Sequence, residues 1–105
     1  MAASTPAERD RGPDRIVYRV HALRPMFQRD IKDDDVRAVL AQGETIERYP
    51  DDLPYPSRLL LGWVGARPIH AVVADNSAEH ETIVITVYVP STDLWQPGFR
   101  IRREK

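Results

Sequence analysis

The chain has 105 residues, the length of one domain. Its 15 Lys and Arg against 16 Asp and Glu leave a net charge of −1, which excludes a uniformly basic polyanion binder but leaves room for a local basic patch. There is no cysteine, so disulfides, thiolate metal sites and a cysteine nucleophile are excluded, and no apolar run approaches the roughly 20 residues of a membrane span.

The charge is uneven. Residues 98–105 hold Arg100, Arg102, Arg103 and Lys105 against Glu104, a local excess of +3, and the rest of the chain sums to −4. Residues 1–14 are small, charged and interrupted by Pro6, Gly12 and Pro13, which predicts a disordered leader. They lack the apolar stretch of a signal peptide. Residues 15–105 are expected to form a single domain.

Ile16–Val20 reads as a short strand or the approach to a helix. A helical period then runs over about residues 21–29, with Leu23, Met26 and Phe27 as its expected core stripe and His21, Arg24 and Gln28 opposite. Pro25 inside it requires the helix to begin close to His21. Asp33, Asp34 and Asp35 open a second helix, where carboxylates meet free N–H groups and the positive dipole end. This helix-start chemistry explains the acidic run better than a metal site does. Val36, Val39 and Leu40 give its core stripe, and Gly43 is placed as a left-handed stop.

Strands follow. Glu44–Tyr49 alternates, Pro50–Pro56 is a rigid loop, and Arg58–Val64 and Arg67–Ala74 flank a tight Gly65-Ala66 turn. Asp75–Glu81 is a polar loop, Thr82–Val89 is the most β-like stretch, and Ser91–Lys105 is a basic tail with Trp95 and Phe99. The order predicts an α+β domain, two N-terminal helices packed on an antiparallel three- to four-stranded sheet. A two-residue turn sets Leu61 opposite His70 and Leu59 opposite Val72. Leu59, Leu61, Trp63, His70 and Val72 then share one face. Leu60, Val64, Ile69, Ala71 and Val73 share the other, beside Ile85 and Val87 and under the helices. His70, Thr86, Tyr88 and Trp63 are expected on an open face.

His80 lies in a polar loop and reads as inert. His70 is structural or catalytic, and His21 is a cap or a catalytic group. None has zinc-site spacing, and no cofactor or metal motif is present. Arg24, Arg29, Arg58 and Arg67, with Arg100, Arg102 and Arg103, are candidate phosphate contacts through their planar forks. An Arg, His and Tyr set on a sheet face suits metal-free phosphodiester cleavage. Trp63 reads equally as a base-stacking ring or a hydrophobic plug.

The run His21-Ala-Leu-Arg-Pro-Met-Phe-Gln-Arg29-Asp-Ile, with Asp35-Val36, Gly43–Pro50, Pro54–Gly62, Arg67–His70, Ile85–Tyr88, Trp95 and Phe99–Arg103, resembles a small bacterial family of uncharacterised domains. Pro25 departs from the pattern, which usually has a residue such as Arg there, and Asp30 stands where the pattern usually has Gly. That family is grouped with the RelE, BrnT and MqsR toxins and is often encoded beside an MqsA/YgiT-type zinc-finger antitoxin. The resemblance implies a RelE/barnase-like ribonuclease fold and a cytoplasmic, metal-independent mRNA-cleaving toxin with a cognate antitoxin and RNA as partners. It implies His21, Arg29, Arg67, His70 and Tyr88 as the polar site positions, with His70 or His21 as acid or base. The acidic body of residues 1–97 motivates a rival reading, a non-catalytic protein-interaction module. A small-ligand domain using the same face is a third.

Overall fold

The computed structural model describes residues 15–104, so the expected leader lies outside it. The chain order is β1 (Arg15–Tyr18), α1 (Val20–Gln28), α2 (Asp33–Gln42), β2 (Glu44–Tyr49), β3 (Ser57–Val64), β4 (Arg67–Asn76) and β5 (Glu81–Tyr88). The fold is α+β. Both helices precede the antiparallel strands, as expected. The sheet has five strands in the order β1-β5-β4-β3-β2, because Arg15–Tyr18 is a true strand and runs parallel to β5 at one edge.

Helix α1 begins at Val20, one residue earlier than predicted, which puts Pro25 in its second turn. Its missing N–H leaves the His21 carbonyl without a helical donor, and His21 is exposed, so water can replace it. The predicted core stripe is corrected. Met26 is buried, but its partner is Ala22, while Leu23 and Phe27 face solvent. Small Ala22 lets the helix backbone approach β5, which rotates the larger residues outward.

The helix ends in a Schellman motif. The Ile31 N–H reaches Met26 O at 2.8 Å, the Asp30 N–H reaches Phe27 O at 3.3 Å, and Asp30 has φ 55°. A left-handed position favours glycine, and Asp tolerates it at a cost. Asp30→Gly is expected to raise stability by about 0.5–1 kcal/mol in urea unfolding.

At the start of α2, Asp35 Oδ2 accepts the Lys32 N–H at 2.9 Å and Asp33 pairs with Arg37 at 2.7 Å. Val36 and Val39 are buried as expected. Gly43 is not left-handed but extended, at φ −72° and ψ 162°. It is required by space, because a Cβ there would lie 2.5 Å from Val39 O and 2.9 Å from Leu61 O.

The β3–β4 register is the expected one, Val64 against Arg67, Leu61 against His70 and Leu59 against Val72. Gly65 takes φ 63° at the turn, as a right-twisted two-residue hairpin needs. The β4–β5 register holds a bulge. Tyr88 and Thr86 pair with His70 and Val72, but Val84 pairs with Val73, leaving Ile85 as the extra residue. Val84 and Val87, rather than Ile85 and Val87, therefore join Leu60, Ile69, Ala71 and Val73 under the helices.

The largest correction concerns the opposite face. Residues 90–104 do not form a loose tail but a strap across the sheet. Gln96-Pro97-Gly98-Phe99 is a tight turn in which the Phe99 N–H donates to Gln96 O at 2.8 Å, with Gly98 at φ 90°. Trp95 bridges Arg102 antiparallel, and the Arg103 N–H closes on Leu94 O at 2.9 Å. The face expected to be open is covered, and Trp95 is only 2% exposed beneath the strap.

Candidate functional site beneath the C-terminal strap

Two neighbouring rows cross the covered face: Glu44, Leu61, His70 and Tyr88, then Glu47, Leu59, Val72 and Thr86. Glu44 and Glu47 are three residues apart and would point to opposite faces of a regular strand. A bulge at Ile46 brings both to the same face. Arg100 and Arg102, two residues apart on the strap, meet them there. Arg100 forks onto Glu44, with Nη2 to Oε1 at 2.7 Å, and Arg102 forks onto Glu47, with Nε to Oε2 at 3.0 Å.

The chemistry-bearing side chains form a continuous chain of contacts. The Tyr88 hydroxyl lies 3.2 Å from His70 Nδ1, and His70 Nε2 lies 2.9 Å from Phe99 O. A carbonyl can only accept, so Nε2–H donates to Phe99. In the neutral ring Nδ1 then accepts from Tyr88. Trp95 stands edge-to-face on the His70 ring at 4.5 Å, and the Arg102 guanidinium lies 4.6 Å over the Trp95 ring. Tyr49 donates its hydroxyl to Glu47 Oε1 at 2.5 Å, and Trp63, half-exposed, meets Phe99 edge-on at 6.0 Å. His70 is 0% exposed, whereas the Arg102 side chain is 56% exposed, so the cluster opens to solvent at its Arg102–Glu47 end.

Burial pushes the His70 pKa below its usual 6.5, against the pull of the Phe99 carbonyl. Burial opposes ionisation of Glu47, but the donors from Arg102 and Tyr49 outweigh it and hold the carboxyl below its usual value. Burial raises the Tyr88 phenol. The signs set a pH window. Above pH 6.5 His70 is neutral in both folded and unfolded chains. As pH falls through 6.5 the unfolded chain takes a proton that the native ring excludes, so stability drops. The carboxylates Glu44 and Glu47 add a second loss below their usual 4.5. Urea midpoints measured across pH are expected to show both declines, and His70→Gln is expected to flatten the first.

The sequence-based candidates divide between two sides of the sheet. His70, Tyr88, Trp63, Arg100 and Arg102 converge here, and Arg103 holds the strap to itself through Thr92 O at 2.7 Å. His21 and Arg24 stand on α1, against the other face, lining an open depression with Val20 and Pro25. Arg29 is exposed just beyond that helix. Arg58 pairs with Asp75 at the helix-bearing face. Arg67 caps α1, donating to Arg29 O at 2.8 Å and Asp30 O at 3.1 Å and reaching Asp35 at 3.2 Å. Arg67→Ala should therefore lower stability by about 1–3 kcal/mol in urea unfolding, the value of charge-assisted hydrogen bonds, here to helix-end carbonyls. Glu44, Glu47 and Tyr49 were missed from sequence, since their convergence needs the Ile46 bulge. Among the described residues, no group of three or more His, Asp or Glu is arranged to hold a metal ion.

Residues 18–89, covering both helices and β2 to β5, match the family model described as "Domain of unknown function (DUF4258)". The chain belongs to this family. The DUF4258 match includes Glu44, Glu47, His70 and Tyr88 and ends before the strap that carries Trp95, Arg100 and Arg102. No curated protein and no solved structure matches the chain. None of the helices in the described part of this DUF4258 protein is long and apolar enough to cross a membrane.

Proposed function

We propose that this DUF4258 protein is an RNA-cleaving toxin that works without a metal, with the strap-covered face as its RNA site. The observation that carries the reading is the contact chain Glu47–Arg102–Trp95–His70–Tyr88, which joins a carboxylate, a guanidinium, an imidazole and a phenol across the strap-covered face of the sheet. The resemblance to RelE, BrnT and MqsR toxins supports it independently. Glu47, ionised below its usual range, takes the proton of a ribose 2′-hydroxyl. The 2′-oxygen then forms a bond to phosphorus, and the bond from phosphorus to the 5′-oxygen breaks. Arg102, already half in solvent, exchanges Glu47 for the phosphorane oxygens, and Tyr88 returns a proton to the leaving 5′-oxygen. His70 positions the Tyr88 hydroxyl. The products are a 2′,3′-cyclic phosphate and a 5′-hydroxyl end. On this reading His21 and Arg24, on the other side of the sheet, take no part in the chemistry.

The same reading gives the protein a cytoplasmic place of work and a neighbouring antitoxin gene, of the MqsA/YgiT zinc-finger type. Expression without the antitoxin is expected to arrest bacterial growth, and Arg102→Ala or Tyr88→Phe to relieve the arrest. Unimpaired growth together with intact cellular RNA contradicts the proposal. The alternative, a non-catalytic interaction module, is favoured by one observation: His70 is fully buried with both ring nitrogens engaged. A protein complex that resists salt, with no affinity for RNA, supports that alternative, because phosphate binding weakens steeply with salt.

A further inference from the structure

Helix α1 carries two apolar stripes. One, Ala22 and Met26, is buried against the sheet. The other, Val20, Leu23 and Phe27, recurs at i, i+3 and i+7 and faces out, with Val20 80% and Phe27 89% exposed. Within the described residues Leu23 is half covered, at 49% exposed, while Val20 and Phe27 stay largely free of intrachain packing. The stripe runs about 10 Å along the helix axis, two turns.

The charges around it are equally specific. No Asp or Glu lies within α1. Arg19, Arg24 and Arg29, at its ends and middle, make no ion pair among the described residues, whereas Arg15, Arg37, Arg58, Arg67, Arg100 and Arg102 each meet a carboxylate. Among the described residues Arg48 and Arg103 also lack an ion pair, but three of these five arginines, Arg19, Arg24 and Arg29, lie in or beside the helix that carries the unburied apolar stripe. Beside it, Val20, His21, Arg24 and Pro25 line the open depression, which can seat one apolar anchor.

We propose that the outer face of α1 is a docking surface for an acidic, amphipathic peptide segment of another protein. Such a segment supplies apolar anchors at helical spacing for Val20, Leu23 and Phe27, and carboxylates for Arg19, Arg24 and Arg29. The alternatives fit less of the surface. A nucleic acid neutralises the arginines but gains no stacking from Val20 and Leu23. A second copy brings the same arginines against themselves. A bilayer needs more apolar area than three side chains offer. The surface is independent of the strap-face chemistry, since it lies on the other side of the sheet.

The test is a selection of random 16-residue peptides displayed on phage, against the full chain. Enriched peptides are expected to carry more Asp and Glu than Lys and Arg, with two or more Leu, Ile, Phe or Met at helical spacing. A synthesised winner, followed by fluorescence anisotropy, should bind about tenfold more weakly to Phe27→Ser and to Arg24→Glu. Arg48→Glu, which makes the same charge change at an exposed site on β2, should leave binding unchanged. All three positions are exposed, and thermal melts confirm that the variants fold. The proposal is overturned if no peptide is enriched, if winners are neutral or basic, or if Phe27→Ser and Arg24→Glu bind normally. It is also overturned if those two variants instead abolish self-association in sedimentation, binding of a single-stranded RNA oligomer, or binding to phosphatidylserine vesicles, while peptide affinity stays intact.

Discussion

Trp95→Ala is expected to be the most destabilising single truncation on the strap face, at about 3–5 kcal/mol. Trp95 lies outside every named strand and helix, yet it is 2% exposed and among the largest fully enclosed side chains. It stands on the His70 ring from one side and beneath the Arg102 guanidinium on the other. Removing the indole empties the space between strap and sheet, uncovers His70 and deprives Arg102 of its cation–π partner. A domain of this size has a total stability of about 5–15 kcal/mol, so the loss is a large share of it. The melting midpoint should fall by at least about 12 °C. Trp95→Phe keeps part of the contact and should fall less. A small drop for Trp95→Ala, within about 1 kcal/mol, would mean that the strap is not packed as described.

Arg102→Ala is expected to behave in the opposite way, with little cost in stability and a large cost in activity. Its guanidinium is half in solvent, Glu47 keeps the Tyr49 hydroxyl as a donor when Arg102 is gone, and solvent-facing pairs contribute about 0–1 kcal/mol. On the proposed chemistry, Arg102 is the group that meets the developing phosphorane charge. Removing a donor of that kind typically lowers turnover by about 100- to 1000-fold. Arg102→Lys keeps the charge but not the planar fork, so its rate should lie between the two. A rate loss in Arg102→Ala that merely tracks its melting temperature would assign Arg102 to structure rather than chemistry.

Local features were legible in the sequence because short-range rules governed them. The Gly65-Ala66 turn fixed the β3–β4 register, and with it the sharing of one face by Leu59, Leu61, Trp63 and His70. The Asp33–Asp35 run marked the start of α2. Features set by distant partners were not legible. The bulge at Ile85 exchanged Ile85 for Val84 in the core, and the bulge at Ile46 turned Glu47 towards Arg102. Neither bulge has a glycine or proline to announce it. The strap brings Arg100 and Arg102 to carboxylates more than fifty residues earlier, a pairing no local rule announces. The same pairs resolve the charge asymmetry, because Arg100 and Arg102 of the +3 segment are matched by Glu44 and Glu47 of the acidic body. On α1, helical spacing alone did not determine which of two apolar stripes turned inward.

The central claim is tested most directly by incubating the purified chain with single-stranded RNA in the presence of EDTA and determining the chemistry of the ends. The account predicts cleavage that leaves 2′,3′-cyclic phosphate and 5′-hydroxyl ends and is lost in a folded Arg102→Ala protein. RNA left intact across varied sequences, or cleavage that persists unchanged in Arg102→Ala and Tyr88→Phe, would contradict it.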